Sequence, residues 1–187
     1  MRRDFVFGYG SLAAGLPLVP GREPRRAGFV AALPGFARGW GVAMDNRRDL
    51  PGYKYYTAPD GSRPAVFVSF LDVAQGDPSA AVNGLCLPVD DDELGRLDRR
   101  ERNYARVDVS DRIDAGGARV WVYTGTAAAR ERLRRGRDEG RAVIGKSYLA
   151  GVERAFAALG ASELDLCRPS LAAGDLPVVE LVRHELT

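Results

Sequence analysis

At 187 residues, 45% of them apolar and 28% charged, the chain has ordinary globular composition and a length suited to one core, so a single domain over residues 1–187 is expected. Its 27 basic and 25 acidic residues leave a net charge of +2, which argues against nucleic acid or an anionic membrane as the main partner. The two cysteines, Cys86 and Cys167, belong to no C-x-x-C unit and have one histidine, His184, to join them, which argues against structural zinc and for a reducing compartment.

Phe5-Val6-Phe7 reads as a first strand, too short to be the core of a secretory signal, and no later run is apolar and long enough to span a bilayer. A cytoplasmic protein is expected. Gly8 and Gly10 stop the strand, and their freedom at positive φ suits a sharp turn where the backbone approaches something closely. From Ala13 to Pro24 the breakers Gly15, Pro17, Pro20, Gly21 and Pro24 exclude a long helix. Gly8, Gly10 and Ala13 match the letter of a dinucleotide-binding G-x-G-x-x-A, but that motif needs a helix to follow it, and these prolines deny it one.

Short apolar runs between Ala27 and Met44 are broken by Pro34 and Gly35, and the polar, tyrosine-rich stretch from Asn46 to Arg63 reads as an excursion over the surface. Ala65–Leu71 and Ala81–Val89 are strand candidates and potential neighbours in one sheet. Asp90-Asp91-Asp92-Glu93 supplies a cap and first-turn acids for a helix to about Glu101. Alternation at Tyr104–Val109 and Arg119–Tyr123, with Gly116-Gly117 between, predicts a hairpin or meander. Ala127–Arg141 is arginine-rich and interrupted by Gly136, and without interleaved aromatic residues it reads as a solvated helix face rather than an RNA platform. Ser147–Leu159 puts Tyr148, Val152, Ala155, Phe156 and Leu159 on one helical face, and Leu176–Val182 reads as extended. Many strands, short connections and late helices favour an α+β fold around a compact, barrel-like sheet.

Two constellations can carry chemistry. Along the helix after Asp90, Leu94, Leu97 and Glu101 fall on one stripe, so an acid shares a buried face and is suited to take and return a proton; a helix-end glutamate paired with a nearby arginine is the alternative. The loop Gly8-Tyr9-Gly10-Ser11-Leu12 can present successive amides to a carboxylate or an oxyanion, or be a plain turn. Trp40, Met44, Tyr53, Tyr55 and Tyr56 are read as core or surface-packing residues, a wall of the binding pocket being the alternative, His184 as a surface residue and Cys86 as a core residue.

The string Val6-Phe7-Gly8-Tyr9-Gly10-Ser11-Leu12, then Val82-Asn83-Gly84, then Leu97-Asp98-Arg99-Arg100-Glu101 with Tyr104, and last the Ser147-Tyr148 helix, resembles in order and spacing the γ-glutamylcyclotransferase (AIG2-like) superfamily. The resemblance implies a small mixed β-barrel flanked by helices that releases 5-oxoproline from γ-glutamyl amines, amides or peptides without metal or organic cofactor. It implies that Glu101 is the catalytic acid and base, that Gly8, Tyr9, Gly10, Ser11 and Leu12 hold the substrate, and that Tyr123 and Tyr148 line its pocket, Tyr148 being open also to a plain core role. Lys146-Ser147 stands where family members often have a proline-serine pair, and 39–56 departs from the common members. The partner expected is a small γ-glutamyl compound, not nucleic acid or membrane, with homodimerisation left open. A non-catalytic binding module on the same fold, or γ-glutamyl transfer to another amine, is the alternative function.

Overall fold

The computed structural model describes residues 4–14, 28–49 and 53–185. The breaker-rich stretch beyond Ala14 lies outside them. Strand β1 (Asp4–Gly8) is followed by a 3₁₀ turn, Ser11–Ala14. Strands β2 (Phe29–Pro34) and β3 (Phe36–Asp45) come next, then β4 (Lys54–Thr57), β5 (Phe67–Gln75) and β6 (Ala81–Val89). Helix α1 (Asp91–Arg100) leads to β7 (Tyr104–Asp108) and β8 (Arg119–Gly125). The rest is α2 (Ala127–Asp138), β9 (Ala142–Gly145), α3 (Lys146–Leu159), α4 (Ala161–Cys167), β10 (Val178–Val179) and β11 (Val182–Glu185).

The strands form a five-stranded sheet, β2-β6-β1-β8-β7, a four-stranded sheet, β10-β9-β5-β3, and the pair β11-β4. The mixed α+β architecture is the one expected. Two of its features differ from the reading of the sequence. Strands β5 and β6 are not neighbours: β5 pairs with β3 and β6 with β2, so the two arms of one long antiparallel hairpin pass from one sheet into the other. The corner lies where Pro34 ends β2, since proline gives no ladder hydrogen bond, and Gly35 takes a φ of +73°. Gly35 N–H donates to the Ala80 carbonyl and its own carbonyl accepts from Gly76 N–H, which holds both bends together. Such corners let strands switch sheets in barrel-like folds. The sheets also approach each other where β5 meets β8, so they enclose a common core containing Phe7, Leu33, Phe67, Leu71, Val120 and Phe156.

The second difference lies in the stretch read as an excursion over the surface: residues 47–49 and 59–62 are exposed as expected, but three of its described residues are buried. Asn46 is fully buried and its side-chain amide bonds Tyr56 N–H, the Tyr56 carbonyl and the Pro64 carbonyl, which seats Tyr53 and Tyr56 in an apolar cluster with Val42, Met44, Val68 and Phe70. Tyr55 stacks on His184, whose Nε2 contacts the Thr57 hydroxyl, so that histidine is partly buried between strands. Trp40 and Met44 are core residues, and Cys86 is fully buried.

The helices follow local chemistry. Asp90 caps α1 through a complete capping box with Glu93. Helix α2 runs through Gly136 because a side chain there would sit 2.9 Å from Phe67 Cβ; the glycine permits close packing on β5. Its arginines are engaged: Arg130 with Asp72, Arg134 with Glu131 and Asp138, Arg135 with Glu139, Arg137 with Asp175. Helix α3 starts at Lys146 without a side-chain cap, and Val152, Ala155 and Phe156 are buried as the periodicity predicts. Among the described residues no helix is long and apolar enough to cross a membrane.

Candidate functional site

Where β5 and β8 meet, the ladder stops. Strand β9 covers β5 only from Phe67 to Ser69, so the N–H and carbonyl of Leu71 face an open seam. Two tyrosine hydroxyls satisfy them: Tyr104 Oη donates to the Leu71 carbonyl at 2.7 Å, and Leu71 N–H points to Tyr148 Oη at 3.4 Å. One residue on, the buried Asp72 carboxylate accepts from Gly125 N–H at 2.6 Å and from Arg130 Nε at 2.8 Å, closing the seam to the next strand. The gap left between these bonds is a cavity with about 310 Å³ of empty space including its open mouth, lined by Tyr9, Gly10, Ser11, Leu12, Leu71, Glu101, Tyr104, Tyr123 and Tyr148.

The loop after β1 forms one wall. Gly8 and Gly10 do not take positive φ, contrary to the expectation; close approach is what requires glycine. A Cβ on Gly8 would stand 2.7 Å from the Leu12 carbonyl carbon, so the 3₁₀ turn folds directly back on the strand end. A Cβ on Gly10 would stand 3.3 Å from Tyr148 Oη. Tyr9 turns inward and donates from its hydroxyl to the Tyr123 carbonyl at 2.6 Å, while its own carbonyl accepts from Arg38 at 3.1 Å. Arg38 is held in turn by Asn83, through both the backbone carbonyl and Oδ1, and Asn83 donates to Glu163. The Val82-Asn83-Gly84 string is therefore the support of the loop: Val82 fills the core, Asn83 fixes Arg38, and Gly84 lets β6 run against the Gly8 carbonyl.

Glu101 enters from the end of α1. It is the residue that caps the helix, its N–H bonding the Leu97 carbonyl, and Leu94 and Leu97 on the same stripe are buried against Val6, Val89 and Tyr123. Its side chain is 16% exposed, with Arg100 Nε 3.3 Å from Oε1. Both sequence alternatives are thus realised together, a pocket-lining acid that also pairs with an arginine. The Glu101 carbonyl accepts from Tyr104 N–H, and this tight turn delivers Tyr104 into the cavity three residues later.

Burial raises the pKa of Tyr9 and Tyr104 well above the ordinary phenol range, and it also raises those of Tyr123 and Tyr148. For Tyr123 a hydrogen bond to Asp98, itself paired with Arg106, adds to the effect. Four neutral hydroxyls therefore surround one carboxylate. They can orient a ligand, but they stay protonated.

All seven loop and tyrosine residues named from the sequence, bar Gly8, line the same cavity as Glu101. Sequence reading missed Leu71, Tyr104 as a lining residue, and Arg38. The first and last act through backbone groups or long-range bonds that no local pattern records; Tyr104 was within reach, since it follows Glu101 by one turn. Among the described residues no group of three or more His, Cys, Asp or Glu side chains converges as metal ligands would.

Comparison with known proteins agrees with this geometry. The model of the family described as γ-glutamyl cyclotransferase, AIG2-like, matches residues 6–143. The fold is similar to that of a yeast γ-glutamyl cyclotransferase specific to glutathione, at TM-score 0.54 and 16% identity over 91% of this chain and 97% of that one. It is equally similar to YkqA from Bacillus subtilis, TM-score 0.54 and 16% identity over 95% of this chain, which spans 56% of YkqA. An uncharacterized human protein gives TM-score 0.53 and 16% identity over 92% of this chain and 88% of that one. No curated protein matches in sequence. With the family model covering most of the chain and the fold shared, the chain belongs to the γ-glutamyl cyclotransferase, AIG2-like, family.

Proposed function

We propose that the protein cyclises γ-glutamyl compounds, releasing 5-oxoproline and a free amine. The observation that carries the reading is that Glu101 is the sole acidic side chain among the nine residues that line the cavity, set among four tyrosines kept neutral by burial.

The substrate carries its own nucleophile. Its α-ammonium gives a proton to Glu101, the freed amine attacks the γ-carbonyl, and a five-membered lactam closes. As the old carbon–nitrogen bond breaks, Glu101 returns that proton to the departing nitrogen and relays to it the second proton that the attacking nitrogen sheds on becoming the lactam N–H, so the amine leaves as an ammonium. No water is consumed, and the carboxylate ends as it began. Holding amine over carbonyl supplies much of the ~7–11 kcal/mol available to well-oriented intramolecular reactions, so neither Ser11 nor a cysteine is needed as attacker. In this reading the loop from Gly8 to Leu12 grips the substrate's α-carboxylate or developing oxyanion, and Tyr123 and Tyr148 shape the pocket.

The test is to incubate the protein with γ-glutamyl amino acids, γ-glutamyl amines and glutathione and to follow 5-oxoproline by mass spectrometry. Product from at least one class is expected. Its absence from all, with ligand binding retained, would turn the reading toward a non-catalytic binder; a new γ-glutamyl amide in place of 5-oxoproline would turn it toward transfer.

A smaller effect is expected at Tyr148. Its hydroxyl receives the Leu71 N–H at 3.4 Å and would stand 3.3 Å from a Cβ placed on Gly10, while its ring is held edge-on by Phe70 at 5.1 Å and Trp40 at 6.1 Å. Tyr148→Phe keeps the ring packing and should lower kcat/KM about tenfold, or about 1.4 kcal/mol, with little change in thermal stability. Steady-state kinetics beside a melting curve checks both halves.

A further inference from the structure

Arg38, on β3, lies behind the Gly8–Leu12 loop and is half-buried. Its Nη1 donates to the Tyr9 carbonyl at 3.1 Å and to the Asn83 carbonyl at 3.0 Å, Nη2 donates to Asn83 Oδ1 at 2.8 Å, and Nε to Ser170 Oγ at 2.7 Å. All of these acceptors are neutral. The guanidinium carbon stands 4.8 Å from the ring centroid of Phe156, a fully buried side chain. Among the described residues no carboxylate lies within ion-pair distance of Arg38; Glu163, the acid that joins the network, accepts from Asn83 Nδ2 instead. Burial lowers the pKa of Arg38, and the groups that oppose the lowering, Cys167, Tyr148 and Tyr9, include no acid. A guanidinium keeps its proton even so, and a positive charge is left here without a counter-charge.

The bond to Tyr9 carries this charge toward the cavity. Tyr9 C=O and Gly10 N–H belong to one planar trans peptide, in which the two groups point in opposite directions. With the carbonyl turned to Arg38, Gly10 N–H is turned away from it, and Gly10 lines the cavity. The Gly10 carbonyl is used by Ala13 N–H, whereas among the described residues nothing accepts from Gly10 N–H. A carbonyl held by a cation polarises its peptide and makes the N–H at the other end a stronger donor.

We infer that Arg38 is a positioning residue for the substrate's α-carboxylate: it orients and polarises the Tyr9–Gly10 peptide so that Gly10 N–H donates to that carboxylate, and it supplies the counter-charge from behind the loop. This rests on the γ-glutamyl reading above. The head of a γ-glutamyl compound is a zwitterion, and the site offers Glu101 to its ammonium and a cation-backed amide to its carboxylate. A permanent cation suits a permanent anion, present in bound substrate and transition state alike, so the loss of Arg38 should appear in KM rather than in kcat.

The experiment compares γ-glutamyl-alanine with γ-aminobutyryl-alanine, which keeps the attacking amine and the scissile amide and lacks only the α-carboxylate. Formation of each lactam is measured as kcat and KM in the wild type, Arg38→Met, Arg38→Gln and Arg38→Lys. Binding is read by calorimetry on the same forms carrying Glu101→Gln. The wild type should favour the γ-glutamyl compound by at least about tenfold in kcat/KM, and Arg38→Met and Arg38→Gln should bring the ratio to within about threefold, through KM. Arg38→Lys keeps the charge and should hold a ratio between these. Equal handling of both compounds by the wild type, a preference that survives Arg38→Gln, or a ratio in Arg38→Lys no higher than in Arg38→Gln overturns the inference and leaves cyclisation standing. An equal loss of both activities does the same, since a merely structural support of the loop would weaken both compounds alike. Should Arg38→Met fail to fold, Arg38→Gln, which keeps an amide donor for the Tyr9 carbonyl, decides by the same ratio. An Arg38-dependent binding preference without lactam from either compound overturns cyclisation and keeps the inference. Failure of both compounds to bind overturns the two together.

Discussion

Glu101→Gln is expected to reduce 5-oxoproline formation by a factor on the order of 10²–10⁴, the range typical of removing a positioned acid and base. The substitution keeps the length and shape of the side chain and removes only its ability to hold a proton. The rest of the site does not depend on the carboxylate for its position. The backbone N–H of Glu101 bonds Leu97 and its carbonyl bonds Tyr104 N–H, and neither bond involves the side chain. What is lost structurally is the pairing with Arg100, and a partly exposed pair of this kind contributes about 0–1 kcal/mol. The variant should therefore melt within a few degrees of the wild type while turning over almost nothing. Near-normal turnover would sink the proposed mechanism, because the tyrosines that share the cavity are held neutral and offer no substitute base.

How much of this was legible in the sequence depends on how local each interaction is. Helix α1 could be read to within a residue, because its capping box is formed by Asp90 and Glu93 three positions apart. The buried stripe from Leu94 to Glu101 follows from helical spacing, and the β7–β8 hairpin from two alternating runs around Gly116-Gly117. By contrast β9 is four buried residues in parallel pairing with β5, too short to show any period. The split of β5 and β6 between two sheets was also hidden. Pro34 and Gly76 mark breaks, but whether a hairpin turns there or bends and continues is decided by the partner strand. Tyr123 breaks the alternation of β8, being buried beside Val122, because α1 covers the face that would otherwise meet solvent. The resemblance to a family located the loop, Glu101 and the two tyrosines, but the reason for each glycine lay elsewhere, in atoms brought close from other strands. Arg38 is the extreme case: it meets Asn83, 45 positions away, and its neighbours in sequence give no sign of it.

Gly84 is where fold and site are most tightly joined. A Cβ at this position would stand 2.5 Å from the Gly8 carbonyl oxygen and 2.7 Å from Phe7 Cζ, both in β1, to which β6 is paired. The nearest obstacle is main chain at the start of the Gly8–Leu12 loop, so it cannot rotate away, and Phe7 is among the largest fully buried side chains. Gly84→Ala should accordingly destabilise by about 1–3 kcal/mol as an overpacked position. At roughly 2–4 °C per kcal/mol for a chain of this size, that is a melting point lower by about 2–12 °C. The shift that relieves the clash must move Gly8, and with it the loop through Leu12, relative to Glu101. Misplacement on the order of 1 Å costs an intramolecular reaction about 10²-fold, so turnover should fall by that order even at temperatures where the variant is fully folded. Gly95→Ala supplies the contrast. Gly95 lies inside α1, its nearest neighbour would be the tip of Arg99 at 3.9 Å, and alanine is the better helix former by about 1 kcal/mol. That variant should melt slightly higher and keep its activity. Urea unfolding and kinetics on the two proteins together separate a general intolerance of added side chains from the specific contact between β6 and the Gly8 carbonyl. Should Gly84→Ala prove as stable and active as Gly95→Ala, the loop would not owe its position to that contact.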